Sequence, residues 1–296
     1  MNILVSTDES YVFQTLVMLE SLFATNNDDF ITVYAFLRNV NKKQQEYMMN
    51  YVNEKGHLLV PVEINDSDYE IIGVDKYSNA INSTHHLTMA AYNRLLCTFK
   101  LDESIDRVIY LDSDIIVNKS LGDLYNYDID NYAAAVVEGF AFKDYDYIFL
   151  ATNNEEVTKT TIDFANKFRI TNNIEPDAKY FNSGVMVINL NYLRNNGFTE
   201  RVKKHVVSHE CTADADQSVL NAVLKDEVVY VSHLFNCRPS NYNKKHKSFL
   251  EKQAYIFHYG IKPWNDYKTF LGGKWWKYAF KVNKKNSFKT LYKCVL

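Results

Sequence analysis

Cysteine, proline and glycine are all scarce in this chain of 296 residues. The four cysteines, Cys97, Cys211, Cys237 and Cys294, show no Cys-x-x-Cys and no paired spacing, so neither a zinc site nor a disulfide framework is indicated and a reducing compartment fits. Four prolines and nine glycines argue against a disordered chain or a long linker. No stretch approaches the roughly 20 apolar residues that a membrane-spanning helix needs. The opening Met1 to Ser10 has no basic leader and too short an apolar run for a signal peptide, so the expected location is cytoplasmic. Two glycine patterns are missing as well. Without Gly-x-x-x-x-Gly-Lys-Ser/Thr or Gly-x-Gly-x-x-Gly, no loop is available to cradle phosphates by backbone alone, and a phosphate-bearing ligand would need a metal.

What the chain does have is ample core and an uneven charge. Hydrophobic residues at 47% suffice for a large interior, and one domain with a C-terminal appendage is the expected organisation, divided at 1–266 and 267–296. From Tyr267 onward there are eight lysines and no acid, which leaves 25 bases against 36 acids in the rest. Lys274, Lys277, Lys281, Lys284, Lys285, Lys289 and Lys293 alternate with Trp275, Trp276, Tyr278, Phe280, Phe288 and Tyr292. Such a basic aromatic end suits peripheral contact with an anionic inner membrane face, and equally a solvated helix packed by its aromatics. The acidic body argues against nucleic acid as a partner, since it would repel a phosphate backbone.

The pattern along the chain is that of an α/β protein. Strands are expected at Asn2–Ser6, Ile31–Leu37 and Leu58–Val62, with helices from Val12 to Phe23, capped by Ser10, and over Lys42–Asn53. This βαβαβ rhythm predicts a mostly parallel, Rossmann-like central sheet flanked by helices. Glu63 to Ser83 reads as irregular and Thr88–Thr98 as helical. Further strands are expected at Val108–Leu111, Tyr132–Val137, Gly184–Leu190, Val228–Val231 and Ile256–Tyr259. Helices follow at Phe198–Ser208 and Asp214–Lys225, and Phe140–Lys179 has the polar character of an insertion.

Asp112 and Asp114 are the chemical centre of the sequence. They lie in Val-Ile-Tyr-Leu-Asp-Ser-Asp-Ile-Ile-Val, flanked by residues that should be buried and with no base between them. A buried unpaired carboxylate costs several kcal/mol and two adjacent ones repel, so the pair calls for a cation. Hard oxygen ligands favour Mg²⁺ or Mn²⁺. The competing reading is a solvated Asp-Ser-Asp turn between short strands. In open α/β sheets ligands gather beyond the carboxyl ends of the strands, where Asp8, Asp112 and His258 would be delivered. His258 can complete a metal site or serve as a core residue. Gly260 would allow close backbone approach, and Lys262 would place a positive charge on a phosphate.

Joined in order, these segments resemble the retaining glycosyltransferases of family 8, the GT-A group that includes bacterial lipooligosaccharide galactosyltransferases and glycogenin. The resemblance covers Met1 to about Trp264. Leu4-Val5-Ser6-Thr7-Asp8-Glu9-Ser10-Tyr11 resembles the family's opening nucleotide loop, which implies that Asp8 contacts the base and Tyr11 stacks on uracil, with Thr7 among the substrate-binding residues. His86 to Leu95 is similar to the Tyr-x-Arg-Leu segment and implies that Arg94 lies near the donor sugar and diphosphate. Tyr110-Leu111-Asp112-Ser113-Asp114 matches the Asp-x-Asp motif, with Ser113 among the donor contacts. Tyr180-Phe181-Asn182-Ser183-Gly184 resembles the Phe-Asn-x-Gly strand, implying a sugar hydrogen bond from Asn182. Asp214-Ala215-Asp216-Gln217 resembles the segment beneath the reacting carbon. His258-Tyr259-Gly260 with Lys262-Pro263-Trp264 looks like the third metal ligand and the phosphate loop. Ser218 stands where that segment often carries a second Asp, and Glu138 where an Asp contacts the sugar.

The resemblance implies metal-dependent transfer of a hexose, glucose or galactose, from a UDP-sugar to a glycan or lipid-linked acceptor. Asp112, Asp114 and His258 would hold Mn²⁺ or Mg²⁺, and Gln217 and Asp216 would act at the reacting sugar. Two other classes stand beside this one. A catalytically idle UDP-sugar or glycan binding protein would use the aromatics as stacking platforms. A metal-dependent nucleotidyltransferase would also place paired acids at a strand end.

Overall fold

Apolar runs that are buried nearly end to end mark the first strands, as expected where helices cover both faces of a parallel sheet. The computed structural model describes residues 1–74, 89–139, 155–156, 159, 163, 179–208, 215–242 and 244–284. Most of the expected insertion at 140–179 lies outside these residues. So do His86 to Thr88, Asp214, Cys211, Cys294 and the tail beyond Lys284 with Lys285, Phe288, Lys289, Tyr292 and Lys293.

In chain order the strands are β1 (Asn2–Asp8), β2 (Thr32–Arg38), β3 (Leu58–Glu63), β4 (Arg107–Leu111), β5 (Ile115–Val117), β6 (Ala134–Glu138), β7 (Phe181–Asn189), β8 (Val228–Val231) and β9 (Ile256–His258). The helices are α1 (Val12–Thr25), α2 (Lys42–Asn53), α3 (Asp66–Ile71), α4 (Leu190–Asn195), α5 (Phe198–Ser208), α6 (Ala215–Leu224), α7 (Lys247–Gln253) and α8 (Gly272–Lys284). Single helical turns lie at Cys97–Lys100 and Gly122–Tyr125, and Met89–Leu96 is a 3₁₀ stretch. The chain divides into two compact units. One comprises Met1–Glu63, Val108–Asp128 and the segment from Ser232, and the other Ile64–Arg107 and Ile129–Val231.

In the first unit β3, β2, β1 and β4 are neighbours in that order and all parallel. Ile3, Leu4, Val5, Val108, Ile109 and Leu111 are wholly buried in it. A second, two-stranded sheet pairs β5 with β9 in antiparallel fashion, Ile115 opposite His258. His258 therefore reaches the site on its own ribbon. Helix α2 runs over Lys42–Asn53 as read from sequence, because Asn41 and Gln44 exchange side-chain bonds at its start (3.0 and 3.2 Å). Ser10 does not cap α1. Its N–H and hydroxyl both turn back to Asp8 Oδ1 (2.9 and 2.6 Å), and Tyr11 occupies the capping position without a side-chain bond. A short polar side chain two residues upstream competed for the same donors. Helix α8 packs its Trp275, Ala279 and Val282 against α1, and Trp275 is only 1% exposed.

In the second unit β6 lies between β7, antiparallel, and β8, parallel. The β6–β7 register breaks after Val136, which faces Met186, so that Val137 faces Asn182. Ser183, Gly184 and Val185 are thereby left out of the ladder. A bulge of this kind re-aims side chains, and it coincides with the Phe-Asn-Ser-Gly segment. One expectation from sequence changes here. Asp66–Ile71 within the supposedly irregular stretch is a helix, its start held by Asn65 N–H on Asp68 Oδ2 (2.8 Å). The segment expected to be helical over Thr88–Thr98 is so from Met89, as a 3₁₀ stretch to Leu96, longer than such runs usually are, and then one α turn. Tertiary bonds hold it: Tyr69 Oη donates to the Asn93 carboxamide and to Met89 O, and Arg94 turns inward.

Candidate active site

Two polar clusters carry the expected residues, one in each unit. In the first unit Asp112 directly follows β4 and Asp114 directly precedes β5, so both acids sit on a linking turn rather than within a strand. The turn is buried, not solvated. Ser113 ties it down, its hydroxyl 2.8 Å from Thr15 Oγ1 and bonded to Ser6 O at 3.5 Å. The β5–β9 register then sets His258 beside Asp114, and Tyr259 N–H bonds the Asp114 carbonyl at 3.0 Å. His258 Nε2 lies 3.3 Å from Asp114 Oδ1 and 3.8 Å from Asp112 Oδ2. One ligand atom from each of the three residues falls within 4.8 Å of the others.

These residues fit a divalent cation. Asn236 Oδ1, which can only accept, lies 2.9 Å from His258 Nδ1; that nitrogen therefore donates, and Nε2 is the nitrogen turned toward the two carboxylates. This is the arrangement in which an outer partner orients a metal-binding imidazole. Tyr110 Oη donates to Asp112 Oδ1 at 2.9 Å. Asp114 is 9% and His258 4% exposed. Burial alone would push the Asp114 carboxyl up, but the His258 imidazole and the Lys262 ammonium outweigh it and hold it well below the usual carboxylate range. Lys262 donates to Asp114 Oδ2 and to Tyr259 O (3.0 Å). Its ammonium thus rests on one of the carboxylates.

The expected nucleotide-contacting residues occupy the same unit. Thr7 is buried, and Asp8 ends β1 with Oδ1 engaged by Ser10. The Tyr11 ring meets Trp264 edge to face, centroids 6.1 Å apart. Gly260 is exposed, and a Cβ there would meet only Ser240 Oγ, at 3.7 Å, so nothing inside the protein demands glycine.

The second cluster is built on the bulge and on the first turn of α6. Arg94 Nε lies 3.0 Å from Asp216 Oδ2, and its Nη1 donates to Ser183 O (2.7 Å) and Ser183 Oγ (3.0 Å). Ser183 Oγ donates in turn to Asp216 (3.2 Å). Arg94 and Asp216 are 6% and 4% exposed, a buried pair rather than a surface one. Gln217 Oε1 accepts from Asn182 Nδ2 (2.7 Å) and from Ser183 N–H (3.1 Å). Glu138 lies apart from this knot, exposed at the end of β6 with Lys179 at 3.7 Å.

Four supporting residues were not singled out from sequence. Asn221 donates to Phe181 O (2.9 Å) and Gln217 O (2.8 Å) and accepts from Phe181 N–H (2.8 Å), fixing the strand that carries Asn182. Its spacing of four from Gln217 on one helix was a usable signal. Tyr110, two residues before Asp112, offered another. Gly139 sits where a Cβ would come within 3.2 Å of Asn182 N, so any larger residue would have to press the Asn182 backbone back by a few tenths of an ångström. Asn236 is 22 residues from His258 and left no local trace. Cys97 and Cys237 are buried and free, each thiol pushed up to about 12 by burial, so neither is a nucleophile.

The model of the family described as glycosyl transferase family 8 matches residues 2–268. General stress protein A of Bacillus subtilis is 30% identical over 223 residues, covering 70% of this chain and 68% of that protein. A lipopolysaccharide 1,2-glucosyltransferase of Escherichia coli is 22% identical over 314 residues, 98% of this chain and 84% of that one. Among solved structures, the galactosyltransferase LgtC, crystallised with donor and acceptor sugar analogues, matches with a TM-score of 0.73 at 20% identity, over 95% of this chain and 96% of that one. That likeness carries the fold, and the family model carries the membership: the chain belongs to glycosyl transferase family 8 and is a glycosyltransferase of the GT-A fold.

Proposed function

We propose that the enzyme moves a hexose, glucose or galactose, from a UDP-sugar to a hydroxyl of a glycan or lipid-linked acceptor, with retention at the anomeric carbon. The observation that supports this most is the convergence of Asp112, Asp114 and a pre-oriented His258, a donor set suited to Mn²⁺ or Mg²⁺. A bound divalent ion would supply charge neutralisation at the diphosphate. Lys262, in contact with Asp114, adds a second positive charge for the departing UDP, and Gly260 leaves room beside it. Thr7 and Asp8 take the base, and Tyr11 stacks on it.

At the sugar end Asn182 and Asp216 hold hydroxyls, with Glu138 the outer candidate contact. Arg94 works through Asp216 and Ser183, keeping the carboxylate aimed. The bond from the anomeric carbon to the phosphate oxygen breaks, the acceptor oxygen bonds to that carbon on the same face, and the released UDP oxygen takes the acceptor's proton. Gln217 is a neutral amide and a poor nucleophile, which favours same-face attack over a covalent intermediate. Its role is to stabilise positive charge developing on the sugar.

The test is UDP release measured over UDP-glucose, UDP-galactose and other UDP-hexoses, with Mn²⁺ and with chelator. Metal-dependent release on one of them is expected, and Gln217→Ala should lower kcat by about 100-fold or more. Binding without any release would favour the idle binding protein. Pyrophosphate in place of UDP would reveal nucleotidyl transfer.

We place the enzyme in the cytoplasm, where Cys97 and Cys237 stay reduced. No helix among the described residues is long and apolar enough to cross a membrane. Peripheral contact would use the exposed face of α8, with Lys277, Phe280 and Lys281. If so, Lys277→Glu should weaken co-sedimentation with anionic vesicles about fivefold or more, each surface lysine contributing ~1 kcal/mol. Unchanged sedimentation would remove membrane contact from the proposal.

A further inference from the structure

Helix α8 carries a second face that sequence alone did not separate from the first. Its inner side is built against the loop from Tyr259 to Trp264, the segment that carries Lys262. Trp276 Nε1 donates to Pro263 O at 3.2 Å. The Trp275 ring lies 5.1 Å from that of Trp264 and 6.3 Å from that of Phe13, and Trp264 in turn meets Tyr11. Tyr259 Oη, buried, donates to Leu271 O at 3.0 Å just before the helix begins. A Cβ on Gly272 would stand 3.4 Å from Pro263 Cβ, which shows how closely helix and loop approach. Two cations fasten the helix elsewhere: Lys274 to Asn118 Oδ1 (3.0 Å) and Lys281 near the buried Glu20 (3.7 Å).

Within the loop Asn265 and Asp266 N–H both bond Lys262 O (3.0 and 3.1 Å), and the α8 contacts back it on its other side. Ile261 is exposed and Lys262 half-buried, and the sequence between Tyr259 and Trp264 is too short to form a core of its own. Trp275 fills the space behind it although its buried indole N–H has no partner among the described residues, a cost that burial of the ring offsets.

We infer that α8 is a positioning element for the nucleotide and diphosphate: Trp276 through its bond to Pro263, and Trp275 through its contact with Trp264, set where Lys262 and the Tyr11 ring stand. The inference rests on the donor proposal above and adds residues to it. Both tryptophans act through the loop, so their removal should alter nucleotide affinity far more than Mn²⁺ binding, whose three candidate ligands come from the β4–β5 turn and β9.

The experiment uses the full chain and the variant Trp276→Phe, which keeps a ring and removes the indole N–H. UDP binding is measured by calorimetry in saturating Mn²⁺, and Mn²⁺ binding alone by electron paramagnetic resonance. Loss of one hydrogen bond predicts UDP affinity about three- to tenfold weaker, with Mn²⁺ affinity unchanged. Donor KM should rise by the same factor while kcat moves less. Trp276→Ala, which also loses the ring, should weaken UDP further. UDP affinity equal to the parent's in both variants would overturn the inference, and so would a parallel loss of Mn²⁺ affinity, which would mark a general loosening of the unit. Failure of the unaltered chain to bind UDP with Mn²⁺ would bring down the donor proposal itself.

Discussion

Replacing Asp114 by Asn is expected to weaken Mn²⁺ binding by at least about 100-fold and to abolish metal-dependent UDP release. Loss of an outer partner alone typically costs 10- to 100-fold in metal affinity, and Asp114 is an inner candidate ligand. It is also the residue on which the cluster converges, with His258 Nε2 at 3.3 Å and Lys262 on its other oxygen. The substitution keeps the shape and removes the charge, leaving His258 and Lys262 facing a neutral amide. Stability should fall too, and the sign follows from the depressed carboxyl. A group whose folded pKa lies below its unfolded one stabilises the fold above the unfolded value, roughly pH 4, and loses that contribution as pH falls through the folded value. Asp114 therefore contributes above about pH 4, the share that comes from the Lys262 ammonium persisting to pH 8, and Asp114→Asn removes it throughout. Electron paramagnetic resonance of Mn²⁺ and urea unfolding at pH 7 measure the two effects. Parental Mn²⁺ affinity in Asp114→Asn would sink the metal assignment.

Arg94→Ala is expected to cost about 3–5 kcal/mol in stability, because it leaves Asp216 buried without its partner. Three hydrogen bonds to Ser183 and Asp216 go with the guanidinium, so the bulge that presents Asn182 and Gln217 loses its brace. Turnover should collapse alongside. The double variant Arg94→Ala, Asp216→Ala should be destabilised by less than the sum of the single changes, since the second removes the charge that the first exposed. Arg94→Lys keeps the charge but not the fork, and should restore part of the stability and little of the activity. A loss below about 1 kcal/mol for Arg94→Ala would mean that Asp216 finds water or another donor, and the bracing role would be withdrawn.

Much of this was legible from residue order. The apolar runs of β1 and β4, the Asn41 and Gln44 pair at the start of α2 and the spans of α5 and β8 are local signals, and each element formed where those signals placed it. Asp112 and Asp114 stood out because charge amid buried neighbours demands compensation. Where sequence misjudged, a neighbour competed. Asp8 took the donors of Ser10, so that Ser10 does not cap α1.

The chain's order alone determined its class, its strand and helix rhythm and the acids that need a cation, because burial, periodicity and charge act over a few residues. Only the tertiary structure decided that the acids share a turn pinned by Thr15, that an antiparallel pairing sets His258 against Asp114, that Asn236 selects the free imidazole nitrogen, and that the basic tail turns its tryptophans inward. These are contacts between residues tens to more than a hundred positions apart. They depend on strand register and helix packing, which no local pattern encodes.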